Sequence, residues 1–74
     1  MGYNGHRDWN AWNVALWLFN DEALYRMMVA AVDANPGNLA MAAQVILDNT
    51  PEQTPDGALF TLEDIEDALE DWED

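Results

Sequence analysis

The last 14 residues of the chain join a helical apolar repeat to a dense run of carboxylates. From Glu63 onwards, every residue between the apolar positions is Asp or Glu, except Ala68. Acidic tails are usually disordered because they lack apolar anchors, but this segment has anchors. They fall at i, i+3, i+7 and i+10, a narrow apolar seam of helical type, and they are Leu62, Ile65, Leu69 and Trp72. The pattern predicts an ordered acidic helix over residues 61–74, capped by Thr61.

This helix carries its charge at a cost to its own stability. Like-charged pairs at i,i+4, such as Glu63 with Asp67 or Glu66 with Glu70, each cost about 0.2–0.5 kcal/mol. A net charge of about 2–8 in magnitude is enough for solubility, whereas this chain carries −13. A segment that lowers its own helix stability, with no visible compensating interaction, indicates a functional site. We therefore predict a fixed anionic surface that binds a basic partner, formed by Glu63, Asp64, Glu66, Asp67, Glu70, Asp71, Glu73 and Asp74, with Asp56 and Glu52 extending it.

Length and composition predict one small domain. The chain has 74 residues, half of them hydrophobic. This is near the lower limit at which a hydrophobic core can stabilise a fold without disulfides or a structural metal. The chain has no cysteine, so disulfides and thiolate metal ligands are excluded. It also lacks an apolar run of membrane-spanning length and a signal-peptide layout. We expect a single domain over residues 1–74 in a cytoplasmic protein.

Three further helices are predicted upstream from apolar spacing and capping residues. Asp8 caps the first, Asn20 the second and Asn38 the third. The second stops at residues 35–37, where a proline cannot continue the helix. The predicted core faces are, in order, Trp9, Trp12, Leu16 and Phe19, widened by Trp17 and Leu18; Leu24, Met27, Met28, Ala31 and Val32; and Leu39, Ala42, Ala43, Ile46 and Leu47.

The predicted fold class is therefore all-α, a single compact domain of four short helices with the last strongly acidic. Residues 1–7 contain two glycines and no apolar period, which predicts a flexible arm. Residues 50–60 contain two prolines and an Asp-Gly pair and are predicted to form a loop. A brief pairing of residues 58–60 with the arm around Tyr3 is the most extended structure expected.

The tryptophans of the first helix have two interpretations. They could stack on a ligand, but aromatic residues at helical spacing are far more often core, and we expect them there. Trp17 or Tyr25 is the expected exposed exception. Met41 and Val45 lie off the main face of the third helix, so a contact with a partner or a second copy could form there. We expect a monomer or a weak homodimer.

The residue inventory argues against an enzyme. Cys, Ser and Lys are absent, which removes the commonest nucleophiles. The single histidine, His6, lies in the predicted arm, where we interpret it as a surface residue. We expect no catalytic residues and no cofactor.

The charge balance restricts the class of partner. Fifteen acids oppose only Arg7 and Arg26, so the chain cannot neutralise phosphates and is not expected to bind DNA or RNA directly. Anionic membranes are disfavoured on the same ground. The surface favours a strongly basic protein, with fast and salt-sensitive association.

A calcium site is an alternative. Aligned with the twelve-residue EF-hand loop, residues 52–63 place Asp56 at the fifth position, Gly57 at the sharp turn and Glu63 at the bidentate last position. The match is partial, because Thr54 is a weak ligand at the third position and a proline stiffens the fourth. In this alternative the calcium ligands are Asp56 and Glu63. No other metal site is expected.

The N-terminal third resembles a family of small phage and plasmid proteins that share the pattern N-G…W…T/A-W-N-V-x-L-W-hydrophobic-x-N-D-E…Y. In this chain the matching segment is Tyr3 to Leu18, with W-N-V-A-L-W at residues 12–17, followed by N-D-E at 20–22 and by Tyr25. The family as a group has no assigned activity. The resemblance implies a mobile-element protein and transfers no catalytic residue.

In size and charge the chain also resembles the small acidic anti-CRISPR and antirestriction proteins, several of which imitate DNA. This resemblance rests on no motif. It implies an inhibitor of a host nucleic-acid-targeting defence complex that acts in the bacterial cytoplasm by blocking a basic DNA-binding groove, such as that of the large subunit of a type I Cascade complex. The alternatives are the degenerate EF-hand-like calcium module, and an antirestriction or structural phage protein that acts through an apolar contact surface.

Overall fold

A computed structural model describes the backbone of residues 6–73 and the side chains of residues 6–72. Within that range the chain forms no β-strand, and an isolated bridge joins Gln53 and Leu59. None of its helices is both long and apolar enough to cross a bilayer. The predicted all-α fold is confirmed, with four helices: α1 (Trp9–Asn20), α2 (Glu22–Ala34), α3 (Leu39–Asp48) and α4 (Leu62–Glu73).

Three helices begin at the predicted capping residues. The side-chain oxygens of Asp8, Asn38 and Thr61 accept hydrogen bonds from backbone N–H groups three residues ahead, at 2.9, 3.1 and 3.1 Å respectively. Each bond satisfies an N–H group that lacks an intrahelical partner, an effect of about 1 kcal/mol. Local sequence therefore determines where α1, α3 and α4 start.

The predicted cap of α2 is wrong by one residue, because Asp21 takes the place assigned to Asn20. Asp21 Oδ1 accepts the N–H of Leu24 at 3.0 Å, and its extended backbone separates α1 from α2. Asn20 is instead the last residue of α1, where its amide donates to the carbonyl of Leu16 at 2.8 Å. A single residue therefore links the two helices.

The core lies between the four helices, and α4 packs beside both α1 and α3. The predicted faces of α2 and α3 are confirmed, because Met28 and Ile46 are fully buried and their apolar neighbours are buried or half-buried. Val45, expected off the main face, also packs against the core. The buried core consists of Val14, Ala15, Leu18, Met28, Ala31, Ala42, Ala43, Ile46, Ala58, Phe60, Ile65, Ala68 and Leu69.

The predicted core face of α1 is wrong in part, because Leu18 is fully buried but the tryptophans are not. Trp9 is 40% exposed, Trp12 and Leu16 are half-buried, and Phe19 packs half-buried against the core. Side-chain size misled the prediction, because close helix packing here uses small residues, including two alanines. The buried apolar residues of α1 are Ala11, Val14, Ala15 and Leu18.

Helix α4 is packed along its length. Ile65 and Leu69 are fully buried, and the half-buried Trp72 packs against the core. The Trp72 ring also meets Tyr25 of α2 edge-on, with centroids 6.4 Å apart and an interplanar angle of 88°, a favourable aromatic geometry. Leu62 departs from the predicted seam, because it is exposed in the first turn. The acidic helix is thus anchored through its last described side chain.

Candidate functional site

The carboxylates of α4 form two rows. Glu-Asp pairs recur along the helix, so the Glu residues share one edge and the Asp residues the next. The side chain of Glu73 and the whole of Asp74 lie outside the described residues, as do Tyr3 and the rest of the predicted arm up to residue 5. The described Glu row is Glu63, Glu66 and Glu70, and the described Asp row is Asp64, Asp67 and Asp71.

Asp64 does not belong to an exposed array. It is 5% exposed, its carboxylate accepts the Nδ2–H of Asn10 at 2.6 Å, and it forms an ion pair with Arg7. A buried carboxylate is tolerated when it is paired and hydrogen-bonded. Asp64 is thus not part of the exposed surface on which its predicted role in partner binding depended, and its carboxylate joins the start of α4 to the N-terminal segment.

Asp67 is also turned towards the N-terminal segment. Its Oδ2 lies 3.1 Å from Nδ1 of His6, whose side chain is only 8% exposed. The interpretation of His6 as a surface residue is therefore wrong, and His6 and Arg7 are not part of a free arm. Because Asp67 is itself half-buried, it is a secondary candidate for binding a partner.

Both arginines form ion pairs within the described structure. Arg7 Nη1 lies 2.8 Å from Oε2 of Glu63, and Arg26 Nη2 lies 2.5 Å from Oε2 of Glu22. Partial loss of hydration lowers the pKa of Arg7, but its hydrogen bond to Glu63 and the charges of the nearby acids outweigh this effect, so the pKa is raised overall. Neither arginine neutralises Glu66, Glu70 or Asp71.

We call the Glu edge of α4 the outer acidic row: Glu63, which is also paired with Arg7, Glu66 and Glu70. Glu63 and Glu70 are exposed, and Glu66 is half-buried. The row spans about 10 Å at 1.5 Å per residue. Asp71 is exposed beside it. Among the described acids of α4, the exposed ones are therefore Glu63, Glu70 and Asp71.

Asp56 and Glu52, the predicted extension of the surface, differ in role. Asp56 Oδ2 accepts hydrogen bonds from Asn13 Nδ2 at 2.9 Å and from Trp17 Nε1 at 3.0 Å. These bonds, the one from Asn13 first, lower the pKa of Asp56 despite a small opposing effect of burial. The Asp56 carboxylate therefore fastens the loop to α1. Glu52 is exposed, and its carbonyl accepts the N–H of Phe60 at 3.0 Å.

The loop does not have the arrangement that the calcium alternative needs. Gly57 has the expected left-handed backbone, with φ of 97°. However, the Thr54 hydroxyl donates to Asn13 Oδ1 at 2.7 Å, Asp56 binds α1, and Glu63 pairs with Arg7. Among residues 6–72, no three His, Cys, Asp or Glu side chains are grouped so that they could hold a metal ion. The proposed ligands therefore have other partners.

Sequence reasoning missed a polar stripe on α1 that organises this region, formed by Asn10, Asn13 and Trp17 at i, i+3 and i+7. The Asn10 side chain donates to the carbonyl of Leu59 at 2.9 Å and accepts its N–H at 2.8 Å. The available signal was the presence of two asparagines inside an apolar helix. Asn is unfavourable in a helix interior unless its side chain forms hydrogen bonds elsewhere. The N-terminal motif thus includes residues that position the loop and α4.

A family model described as "Family of unknown function (DUF7249)" matches residues 1–74. Because the match covers the whole chain, the protein belongs to this family. No curated protein and no solved structure matches the chain.

Proposed function

We propose that this family member is a phage or mobile-element inhibitor of a host nucleic-acid-targeting defence complex. In this proposal it works in the bacterial cytoplasm as an acidic mimic of DNA and occupies a Lys/Arg-lined groove. The most suitable target is a type I Cascade complex, and inhibition is competition with duplex DNA, without catalysis or a cofactor.

The observation that carries the proposal is the outer acidic row on a packed helix. Burial of Ile65 and Leu69, together with Trp72 against Tyr25, fixes the helix relative to the core. A partner then meets carboxylates whose positions are already set, so less conformational entropy is lost on binding. A floppy acidic tail would lack this advantage.

The row presents one line of negative charge, as one edge of a nucleic-acid backbone does. Its carboxylates, three or four residues apart, are separated by about 4.5–6 Å along the helix axis, a wider spacing than the about 3.4 Å per charge along one DNA strand. The imitation is of one phosphate row and not two, because Asp64 and Asp67 are engaged by Arg7 and His6.

The long-range field supports the same partner class. With a net charge of −13, the chain attracts basic surfaces and associates with them faster at low salt. Repulsion between the carboxylates destabilises α4 in the free protein, and a row of Lys or Arg side chains on a partner would relieve this repulsion.

The proposal is tested by removing charge from the row without disturbing the fold. The double variant Glu66→Gln/Glu70→Gln removes two carboxylates that form no ion pair in residues 6–72. Its matched control, Asp33→Asn/Asp48→Asn, removes the same charge from exposed sites on α2 and α3. Binding of labelled duplex DNA by purified Cascade is measured with increasing amounts of each protein.

The row variant is expected to lose at least about tenfold in competing strength, a change of about 1.4 kcal/mol, while the control retains most of it. Circular dichroism should give equal helicity for both. Equal inhibition by the two variants would refute a role for the row. No inhibition by the parent would refute Cascade as the target, and other DNA-binding defence complexes would then be tested with the same pair.

A further inference from the structure

One aspartate of this chain is followed directly by a glycine, at Asp56-Gly57 in the loop between α3 and α4. Attack by a backbone nitrogen on the side chain of the preceding Asp is the general route to isoaspartate. It is least hindered when the attacking residue has no Cβ atom. Both residues are exposed, and apart from chain neighbours no described atom lies within 4 Å of where a Cβ at Gly57 would be. Surrounding atoms therefore leave room for this attack.

Hydrogen bonds, and not packing, restrain the two reacting groups. The N–H of Gly57 donates to the Thr54 carbonyl at 2.9 Å, and this bond has to break before the nitrogen can reach the Asp56 side chain. Asp56 Oδ2 accepts hydrogen bonds from Asn13 Nδ2 at 2.9 Å and from Trp17 Nε1 at 3.0 Å. The nitrogen and the carboxylate are thus each held by a partner outside the Asp-Gly pair.

The bonds to the carboxylate also reduce its reactivity. A carboxyl group is attacked in its protonated form, because its hydroxyl can then leave as water, whereas the carboxylate anion is a poor electrophile. The hydrogen bonds from Asn13 and Trp17 lower the pKa of Asp56, so a smaller fraction of this group is protonated at any pH above that pKa. The polar stripe of α1 therefore acts against the reaction at the carbon that is attacked.

We propose that Asp56-Gly57 is a site of spontaneous isomerisation whose rate is controlled by the hydrogen bonds from α1. In the first step the Gly57 nitrogen bonds to Cγ of Asp56, the nitrogen's proton and the side-chain hydroxyl leave as water, and a cyclic imide forms. One water molecule then opens the ring. Attack at Cγ restores aspartate, and attack at the former main-chain carbonyl gives isoaspartate. Water is the only co-reactant.

Isoaspartate at this position would release the loop from α1. The main chain gains a methylene group between Pro55 and Gly57, which lengthens the turn that Thr54 and Gly57 close. The free carboxylate is then attached directly to Cα, so it no longer reaches Asn13 and Trp17 as the aspartate side chain does. This inference concerns covalent change in the loop and does not depend on the proposed function.

The matched variants Trp17→Phe and Trp9→Phe test the inference. Each removes one indole N–H from α1 and keeps an aromatic ring, and Trp17 is the one that donates to Asp56. The parent and both variants are incubated at mildly acidic pH, and the parent is also incubated in urea. Circular dichroism before and after incubation checks that the variants stay folded.

Isoaspartate is measured in one short peptide. Cleavage after Glu52 and Glu63 by a glutamyl endopeptidase releases residues 53–63, in which Asp56 is the single aspartate. The isoaspartyl form is separated by chromatography. It is identified because an endoproteinase that cleaves before aspartate leaves it intact.

Isoaspartate should form more slowly in the folded parent than in urea. Trp17→Phe should form it at least about twofold faster than the parent, the lower end of what one hydrogen bond contributes, and Trp9→Phe should match the parent. The isoaspartyl fraction of the folded protein should have a lower Tm than the unmodified fraction.

Three outcomes would overturn the inference. Absence of isoaspartate in urea would show that the pair is not a modification site. Equal rates in the folded parent and in urea would show that the fold does not restrain it, and this comparison decides the inference even if a variant fails to fold. Equal rates in folded Trp17→Phe and Trp9→Phe would remove the role of the hydrogen bonds from α1.

Discussion

Replacing Asn13 by alanine should be one of the most damaging polar substitutions in this chain. Asn13 is 1% exposed, accepts the Thr54 hydroxyl at 2.7 Å and donates to Asp56 at 2.9 Å. The Thr54 hydroxyl itself is buried and also accepts the N–H of Ala58 at 3.0 Å. Asn13 is therefore the link through which α1 holds the interior of the loop.

The magnitude follows from the buried half of this network. Losing the bond between Asn13 and Thr54 costs about 0.5–1.5 kcal/mol, and leaving the Thr54 hydroxyl without an acceptor costs about 1–3 kcal/mol more. The exposed Asp56 carboxylate can turn to water, so its bond adds little. We expect a loss of about 2–4 kcal/mol, against a total of about 4–11 kcal/mol for a domain of this length.

Urea denaturation followed by circular dichroism measures this loss, and a thermal scan should show Tm lower by about 10–25 °C. Asn20→Ala is the matched control, because Asn20 is exposed and its amide bonds only a carbonyl of its own helix. The control should stay within about 0.5 kcal/mol of the parent. Hydrogen exchange at the Ala58 amide should rise in Asn13→Ala alone.

If Asn13→Ala and Asn20→Ala are equally stable, the network does not hold the loop, and the account of the α1 polar stripe is wrong. Destabilisation without faster exchange in the loop would also contradict it, because the damage would then lie within α1.

Three other outcomes follow from the structure. The pKa of Asp56 is lowered in the folded state, so its contribution to stability is present above the unfolded value of about 3.9 and is lost as pH falls further. The stability difference between the parent and Asp56→Asn, measured by urea denaturation, should be constant near neutral pH and shrink below about pH 4. Leu69→Ala empties a fully buried position of α4 and should cost about 2–5 kcal/mol in urea denaturation, while Met41→Ala should stay within about 0.5 kcal/mol. Calcium at about 1 mM, enough for extracellular-type sites, should leave Tm unchanged, and a rise that Glu63→Gln abolishes would restore the calcium alternative.

Local patterns predicted the helices because the interactions that form them are local. Asp8, Asn38 and Thr61 act within three residues of their own positions, so their roles were readable from the chain. The apolar faces of α2 and α3 were readable for the same reason. Asn20 was a plausible cap for α2. Because α1 extends through Asn20 and a single residue links the two helices, Asp21 caps α2 instead.

The face of α1 could not be read in the same way. Four tryptophan, leucine and phenylalanine positions formed a regular stripe, yet the helix buries smaller residues against its neighbours and turns an asparagine pair towards the loop. Which stripe becomes the interior depends on the partners that surround the helix, and those partners lie more than 40 positions away in the chain.

By itself the sequence determined four helices, most of their boundaries and an acidic segment anchored by apolar residues. These properties follow from backbone hydrogen bonding and from side-chain periodicity, which act over one or two turns. Only the tertiary structure decided which carboxylates face solvent. His6, Arg7 and Asn10 approach α4 across more than 50 residues and engage Asp64 and Asp67. Identical charges in one helix therefore acquire different roles, because burial and pairing depend on the neighbours that folding brings close.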